Sequence, residues 1–505
     1  MSKQTYFNIC IVGGGMIGNA LANTLAKARY TNQLKIAMIN PAVSTNNNIF
    51  GTGNSVGIRT SALTGTSMKL LEKIQDKNKE IPMTKYYGMK VWDQDGNFLN
   101  LDPKENEFGV NSPFSKTANT SDNVILKSLS SIGNQVFKVG QSINDGLVKR
   151  GVGFSNVVSE RKDDVIGSIV DNNDVVFSLM EASKKLDSIS LFDRSELKAI
   201  SDGQNPNTKK LIIQTTTEGN EKLNEEITCD LLIAADGATS FVRQFCNFPF
   251  YSVKYKQRAF VTNVYVDTDS VPCTGKNTYC YQQFLADGPI GMLPTKQNNV
   301  KNIIWSTDPS RAIALEAAYK SGNQQKVLEE MNSIFSKLRI VPRILTEKSE
   351  IVQYFPAGSF PLQRLNCKEY VQPGIALVGD AAHCCHPMAG QGVNMGFVDV
   401  IQLVKAIQKS VKSGSVIGDY SILKTEYEQI QYRRNELYLD GLDAIKGIFE
   451  VESQNDILKG LGIAGLARKI GMDVINSNPL NLKNALIGTA MAVDVDMSHI
   501  NSIEN

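Results

Sequence analysis

The first thirty residues limit the fold more than any other stretch. "FNICIVGGGMIGNALANTLAKARY" runs from an apolar strand, Phe7 to Val12, through a glycine turn into a helical pattern with Ile17, Leu21 and Leu25 on one face. "LKIAMIN", Leu34 to Asn40, reads as a second strand, so the chain opens with a βαβ unit and an α/β fold class is expected. Gly13, Gly15 and Gly18 set out G-x-G-x-x-G between strand and helix. The first glycine permits the tight turn, the second lets a pyrophosphate approach the backbone, and the third allows close helix–strand packing. A purely structural turn would not need all three, so the pattern in this setting points to a bound dinucleotide. The second strand would normally end in an acid that accepts from the adenosine ribose. Here it ends at Asn40, whose amide oxygen accepts more weakly than a carboxylate; an ordinary turn former is the other reading.

A chain of 505 residues has room for two or three domains at roughly 100–200 residues each. Its 42% hydrophobic and 21% charged residues describe an ordinary globular protein, and a net charge of +2 argues against a strongly basic nucleic-acid binder. The eight cysteines show no framework spacing and read as reduced thiols. Strand-like sequence starts by Phe7, so neither a secretory signal nor an Arg-rich transit segment is expected, and no apolar run is long enough for a spanning helix.

Further along, "STNNNIFGTGNS" reads as a loop and "GIRTSALTGTSMKLLEKI", Gly57 to Ile74, as helical; "GMKVWDQDGNFLNLD" reads as a hairpin turning at Asp95-Gly96. Residues 103–167 are polar and weakly periodic, an irregular insertion. A helix capped around Asp171–Asp174 follows, then strands "KLIIQTTTE" and "CDLLIAADG". Alternation from Phe260 to Trp305 predicts an antiparallel sheet, Ala312 to Leu338 a helix, and the tail beyond Asp419 a helical region.

"DLLIAADGATSFVR" carries a second functional signal. A buried strand delivers Asp236-Gly237 at its end, with Ser240 and Arg243 on the next turn, and strand ends are where open α/β sheets bind ligands. A third lies in "VGDAAHCCHPMAGQGVNMG". His383, Cys384, Cys385 and His386 are metal-binding types, but adjacent side chains diverge and zinc ligands are usually two to four residues apart, so no metal is expected. Asp380 ends the strand "IALVGD", where a carboxylate can accept from a polyhydroxy chain such as ribitol. Gly390 and Gly392 free the backbone to approach a flat ring, and the amides at the start of the following helix, around Val393, can stabilise negative charge on it. His383 and Pro387 then shape the surroundings of that ring.

Together the three motifs resemble the aromatic-ring-hydroxylating flavin monooxygenases of the para-hydroxybenzoate hydroxylase type. "GDAAHCCHPMAGQGVNMGFVDV" is most similar to the ubiquinone-biosynthesis hydroxylases, as are "FLADGPIGMLP", "IIWST", "GIRTSALT" and "IVDNNDVV". The resemblance covers most of residues 7–440. It implies a Rossmann-like FAD-binding domain (residues 1–75, 168–250 and 355–412) interleaved with an antiparallel-sheet substrate domain (76–102 and 251–354), the polar insertion at 103–167, and C-terminal helices at 413–505. It implies FAD held by Gly13, Gly15, Gly18, Arg59, Asp236, Asp380, Gly392 and Asn394, with Asn40, Gly237, Gly390 and Val393 alongside; an exposed Arg59 without a role is the alternative. No catalytic base stands out, and His386 and Pro387 are named as flavin-loop participants.

The activity implied is hydroxylation of a polyprenylated hydroxybenzoate or phenol through a flavin hydroperoxide, using dioxygen. Electrons would come from NAD(P)H or a ferredoxin system. The implied place is the matrix face of the mitochondrial inner membrane, in a biosynthetic complex and in peripheral contact with lipid; a bacterial cytoplasmic membrane surface is the alternative. Apolar Leu458, Leu461, Ile463, Leu466, Ile470 and Val474, interrupted by Lys459, Arg468 and Lys469, suit such an interface. Two rival readings are a different FAD-dependent prenyl-lipid oxidoreductase and a non-catalytic scaffold subunit with an FAD fold.

Overall fold

The computed structural model describes residues 5–41, 56–93, 98–101, 165–270, 278–336, 341–349, 352–386, 390–450, 497, 498 and 500. The opening βαβ unit forms as expected. Strand Thr5–Val12 lies between Ile36–Asn40 and Lys222–Ala234, parallel to both. The parallel run extends to Ile375–Leu377 on one side and Ile189–Asp193 on the other. Because these strands are covered on both faces, they are nearly continuous apolar runs, and Ile9, Ile11, Ile36, Ile39, Leu231 and Ile233 are fully buried. Their carboxyl ends line up side by side: Leu377 beside Ala234, Ala234 beside Val12, Val12 beside Ile39, and Asn40 beside Asp193. Three of the loops that leave this edge carry the three motifs.

A second sheet, of nine strands among the described residues, is built around the eighteen-residue strand Phe250–Asp267. It pairs antiparallel with Val300–Thr307 and with Ala357–Cys367. The latter strand falls inside the 355–412 range assigned above to the FAD-binding domain, yet it is hydrogen-bonded into the antiparallel sheet. One face of that sheet packs Phe260, Trp305, Ile303 and Met292 against two helices. Those helices correct the single one expected from Ala312 to Leu338: Pro309–Lys320 ends at Ser321, Gly322 turns the chain at φ 95°, and Gln324–Phe335 follows.

Two more local expectations are revised. Thr60–Leu63 is a strand, paired with Gly167–Asp171, and the helix begins only at Gly65, where the Thr64 side chain accepts from the Ser67 N–H. Ser/Thr-rich sequence competes poorly for helix before a cap, and pairing across the chain decides the matter. Ile166 and Gly167, placed in the irregular insertion, are buried, and Gly167 starts that partner strand. Residues 102–164, the Asp95-Gly96 turn, the Asn-rich loop from residue 44 to 55 and the apolar segment at 455–475 lie outside the described residues; the strands flanking Asp95-Gly96 do pair antiparallel.

The helix Asn172–Ser183 starts at Asp171, whose carboxylate accepts from Asn173 N at 2.9 Å, as the capping pattern predicts. Helix Gln391–Lys412 packs on helix Met16–Lys27 and shares the core of the parallel sheet through Phe397, Val400 and Ile401, and Gln429–Glu450 carries the chain on in helical form. None of the described helices is long and apolar enough to cross a membrane.

Candidate active site

The glycine turn separates packing from opening. Gly13 has φ 116°, and a β-carbon there would sit 2.3 Å from the Ala235 carbonyl oxygen; one on Gly18 would sit 1.9 Å from the Gly13 oxygen. Both positions are closed to any side chain. Gly15 is the opposite case, with nothing within 4 Å of where its β-carbon would lie. It begins helix Met16–Lys27 without a side-chain cap. Helices that start at Thr64, Asp171, Ser240, Asp308 and Asp419 take such a cap. The helices starting at Gly15 and Gly390 do not, nor does the one at Asn323. Uncapped N–H groups facing open space are what an anionic pyrophosphate requires.

Two carboxylates stand on the neighbouring loops. Asp236 follows strand Lys222–Ala234; its Oδ2 accepts from Val242 N at 3.2 Å, while its buried Oδ1 has no partner among the described residues. Burial pushes its carboxyl up, opposed by hydrogen bonds from Ser240 and nearby backbone. A buried acceptor left without a donor is costly, so a ligand hydroxyl there is favoured. Gly237 beside it adopts φ 82° with open space around it. Asp380 lies in the turn Gly379–Ala381 and is solvent-accessible although protein surrounds it. That surrounding pushes its carboxyl up, and the charges of His383, Arg59 and Arg243 oppose the rise. An open carboxylate inside a ring of protein fits the ribitol role. The residues present therefore fit FAD.

Arg243, on the turn that follows Asp236-Gly237, ties the two loops together. Its buried guanidinium donates to Ala381 O at 2.9 Å and to Ala238 O at 2.6 Å. Asn394 is similarly spent. Its amide nitrogen donates to Ala62 O (2.7 Å) and Gly390 O (3.2 Å), and its oxygen accepts from Thr64 N (3.0 Å) and Ser67 Oγ (2.8 Å). All four hydrogen-bonding positions of the side chain are used, so any cofactor contact falls to its backbone. Gly390, at φ 60°, caps the helix, and a β-carbon there would press on Ala62, whereas one on Gly392 would lie at ordinary contact distance from Cys385 Sγ; Val393 is partly buried against the core. Pro387 lies outside the described residues.

The two histidines of "HCCH" turn to different partners. His383 is 1% exposed and meets Asp399 of helix Gln391–Lys412, 0% exposed, with Nε2 to Oδ2 at 2.6 Å. Burial alone would lower its pKa, but the charge and hydrogen bond of Asp399 outweigh that and raise it. The same Asp399 oxygen accepts from Gly379 N at 2.9 Å, so the pair holds the backbone next to Asp380. His386 faces the antiparallel sheet: Nε2 is 2.9 Å from Gln257 Oε1, and the ring packs edge-on against Tyr255. Cys384 lies in a short strand paired with Leu365, its thiol against Asp380 O. Among the described residues no group of three His, Cys, Asp or Glu side chains could hold a metal ion.

Arg59 is exposed over the Phe360 ring, 5.2 Å to its centre. Its segment is clamped from the antiparallel sheet by buried amides. Asn263 Nδ2 donates to Val56 O (3.0 Å) and Gly57 O (3.1 Å), and Asn302 Nδ2 to Ile58 O (3.0 Å) and Asn263 Oδ1 (2.8 Å). Sequence reasoning named neither residue. The available signal was an asparagine inside each of two strands, "TNVYV" and "VKNIIW", where asparagine is depleted. Asp399 and Gln257 carried no comparable signal.

Comparison with known proteins agrees with this geometry. A family model described as FAD binding domain matches residues 167–425. The chain is 28% identical to ubiquinone biosynthesis monooxygenase COQ6, mitochondrial, of Dictyostelium discoideum, over 97% of this chain and 92% of that protein. It is 33% identical to 3-demethoxyubiquinol 3-hydroxylase of Escherichia coli (strain K12), over 44% of this chain and 51% of that one. Among solved structures, p-nitrophenol 4-monooxygenase from Pseudomonas putida DLL-E4 superposes with a TM-score of 0.62 at 14% identity, covering 99% of both chains; it shares the fold.

Proposed function

The chain belongs to the FAD-binding-domain family, and from that premise we propose that it is an FAD-dependent monooxygenase that hydroxylates the aromatic ring of a polyprenylated phenol or hydroxybenzoate in ubiquinone biosynthesis. The observation that carries this reading is convergence. Loops bearing Gly15, Asp236 and Asp380 come from three distant parts of the sequence and leave the adjacent carboxyl ends of three parallel strands.

When bound, FAD supplies the activation of dioxygen. The chain supplies position and electrostatics. The uncapped helix start at Gly15 holds the pyrophosphate, Asp380 accepts from the ribityl hydroxyls, and Asp236 Oδ1 takes a further donor with Gly237 leaving room beside it. Backbone N–H groups from Gly390 to Asn394, at the positive end of their helix, stabilise negative charge on the flavin ring. Gly13 and Gly18 make the turn, Asn40 borders it, and Arg59 adds positive charge near Asp380. His386 links the flavin-side loop to Gln257 of the antiparallel sheet, which we assign to substrate binding, and thereby positions one against the other.

Relatives from Dictyostelium, Caenorhabditis elegans and Drosophila that carry a mitochondrial name support a mitochondrial address. The finer placement, peripheral on the matrix face of the inner membrane and within a biosynthetic complex, follows from the chemistry: a polyprenyl substrate is too apolar to diffuse through water. Flotation with anionic liposomes tests it, and protein that stays at the bottom contradicts it. The donor is identified by comparing flavin reduction with NAD(P)H and with a ferredoxin system.

The reading as a whole is tested by reconstituting the purified protein with FAD. A yellow protein that keeps one flavin per chain through gel filtration, and an Asp380→Ala variant that loses it, are expected; one charge-assisted acceptor contributes ~1.5–3 kcal/mol. A colourless wild-type protein would favour the scaffold reading.

A further inference from the structure

We propose that Asp399 is a positioning residue for the flavin: through the Gly379 amide and the His383 ring it holds the turn that aims Asp380 at the ribityl chain, so that cofactor affinity follows the charge on His383. The proposal rests on the FAD reading above and deepens it.

Asp399 lies on helix Gln391–Lys412, one turn beyond Gly396 and on the same face. At Gly396 the helix presses close on the turn. A β-carbon there would fall 2.7 Å from Ile17 Cδ1 and 3.3 Å from Gly379 Cα. Ile17 belongs to the helix that starts at Gly15, so three pieces of the flavin site close on one another here. The approach sets the buried Asp399 carboxylate against the turn. Its Oδ2 accepts from Gly379 N at 2.9 Å and meets His383 Nε2 at 2.6 Å, one partner on each side of Asp380 in the chain. Its Oδ1 accepts from Asn435 Nδ2 at 3.4 Å. Gly379 adopts φ 59°, and a glycine imposes little backbone restraint of its own. The direction in which the chain leaves it, toward Asp380, is therefore set by the partner of its amide.

Charge makes that hold conditional. Burial alone would lower the pKa of His383, but the charge and hydrogen bond of Asp399, and then the charge of Asp380, raise it. The other groups around the ring do not change charge in the same range. Tyr370, whose ring centre lies 5.9 Å from that of His383, is pushed far up by burial, as are Tyr427 and Cys384. Burial pushes Cys367 and Cys385 up to about 12. Glu428 accepts from Tyr370 N and Val371 N, at 2.8 and 3.0 Å. Arg243 reaches the turn at Ala381 O and supplies a fixed positive charge. When His383 gives up its proton, Asp399 is left as a buried carboxylate without its countercharge, which is costly. Asp380 loses the first of the positive charges that oppose the rise of its own carboxyl. The hold on the turn is thus complete below about pH 6.5 and is lost as the pH rises through the raised value.

The test compares apoprotein of wild type with Asp399→Asn, an exchange that keeps the shape and one acceptor oxygen but removes the charge. At about pH 6, where the pair is charged, each is titrated with FAD and with riboflavin, which keeps the ribityl chain, by quenching of flavin fluorescence. Each is also titrated with ADP, which lacks that chain, by calorimetry. FAD and riboflavin should bind roughly ten-fold more weakly to the variant, the size of one charge-assisted hydrogen bond, and ADP as tightly as to wild type. In an Asp380→Ala background the same exchange should change FAD affinity by less than about two-fold, because the turn then has no carboxylate to aim. From about pH 6 to about pH 9 the wild-type affinity for FAD should fall roughly ten-fold, while that of Asp399→Asn stays level. Variant protein that binds FAD like wild type, that loses ADP as much as riboflavin, or whose loss adds in full to that of Asp380→Ala overturns the proposal. If Asp399→Asn does not fold, the wild-type profile decides: FAD affinity that stays level across that range overturns the assignment. Wild-type apoprotein that binds no FAD even at the acid end contradicts the proposed function instead.

Discussion

The loops of the parallel sheet meet the antiparallel sheet where His386 reaches Gln257, yet the two sides contribute to that junction by different means. On the parallel side each contribution is local: a strand ends, a glycine or acid follows, a helix begins, and the functional group lies within a few residues of the strand end. Gly15 follows Val12, Asp236 follows Ala234, and Asp380 follows Leu377. On the antiparallel side the groups facing the junction come from the middle of strands. Asn263 and Gln257 belong to a strand whose pairing partners, Val300–Thr307 and Ala357–Cys367, lie far along the chain, and Asn302 to the first of those partners. Cofactor binding is thus written in short motifs, while the opposite wall is set by pairing and by which face a strand turns inward. The contrast teaches that the two sides should fail differently when altered.

The largest effect is expected within the glycine turn, where two glycines of one motif should behave in opposite ways. Gly13→Ala meets the Ala235 carbonyl and a backbone φ of 116°, so overlap and strain together should cost ~3 kcal/mol or more and give poorly folded protein. Gly15→Ala meets nothing within 4 Å. It should fold with unchanged stability and bind FAD more weakly. Equal melting temperatures for wild type and Gly13→Ala, or unchanged FAD affinity in Gly15→Ala, would break the separation of packing from opening.

A buried pair comes next. Asp399→Asn removes the partner of His383 and should destabilise the protein by about 3 kcal/mol, the lower end for breaking a buried ion pair. His383 has its folded-state pKa raised above the usual 6.5. Its contribution to stability is therefore complete below about pH 6.5 and is lost as the pH rises through the raised value. Denaturant unfolding across that window should show this loss in wild type and not in Asp399→Asn; parallel slopes in the two would contradict the pairing.

The smallest effect sharpens the contrast from the other sheet. Asn302→Ala should cost ~1–3 kcal/mol by leaving Ile58 O and Asn263 Oδ1 without their buried donor. Because the residue clamps the Arg59 segment and belongs to no cofactor motif, flavin content should stay near one per chain. A variant that keeps full stability, or that loses flavin outright, would place Asn302 on the wrong side of the comparison.

The same division explains what the sequence discloses. The βαβ opening, the strand-end acids and the "GDAAH" loop are legible because strand, turn and helix follow one another along the chain. The side-chain contacts of Arg243 and Asn394 are not legible in the same way: each reaches the backbone of a loop more than a hundred residues away as well as its own, and spacing does not reveal the distant partner. Thr60–Leu63 was read as helix because its apolar spacing continues into the helix after it, and only the pairing with Gly167–Asp171 makes it a strand. The strand Ala357–Cys367 carries no mark of belonging to the antiparallel sheet, since its partner begins at Phe250.

The most direct test of the central claim is to follow oxygen. The purified, FAD-loaded protein is given a reductant, a prenylated hydroxybenzoate and isotopically labelled dioxygen, and the product is weighed by mass spectrometry. One labelled oxygen atom on the aromatic ring, formed only when flavin and reductant are both present, is the expected result. Flavin that is reduced and reoxidised while the ring gains no label, with each candidate donor and with substrate supplied in lipid vesicles, would contradict it.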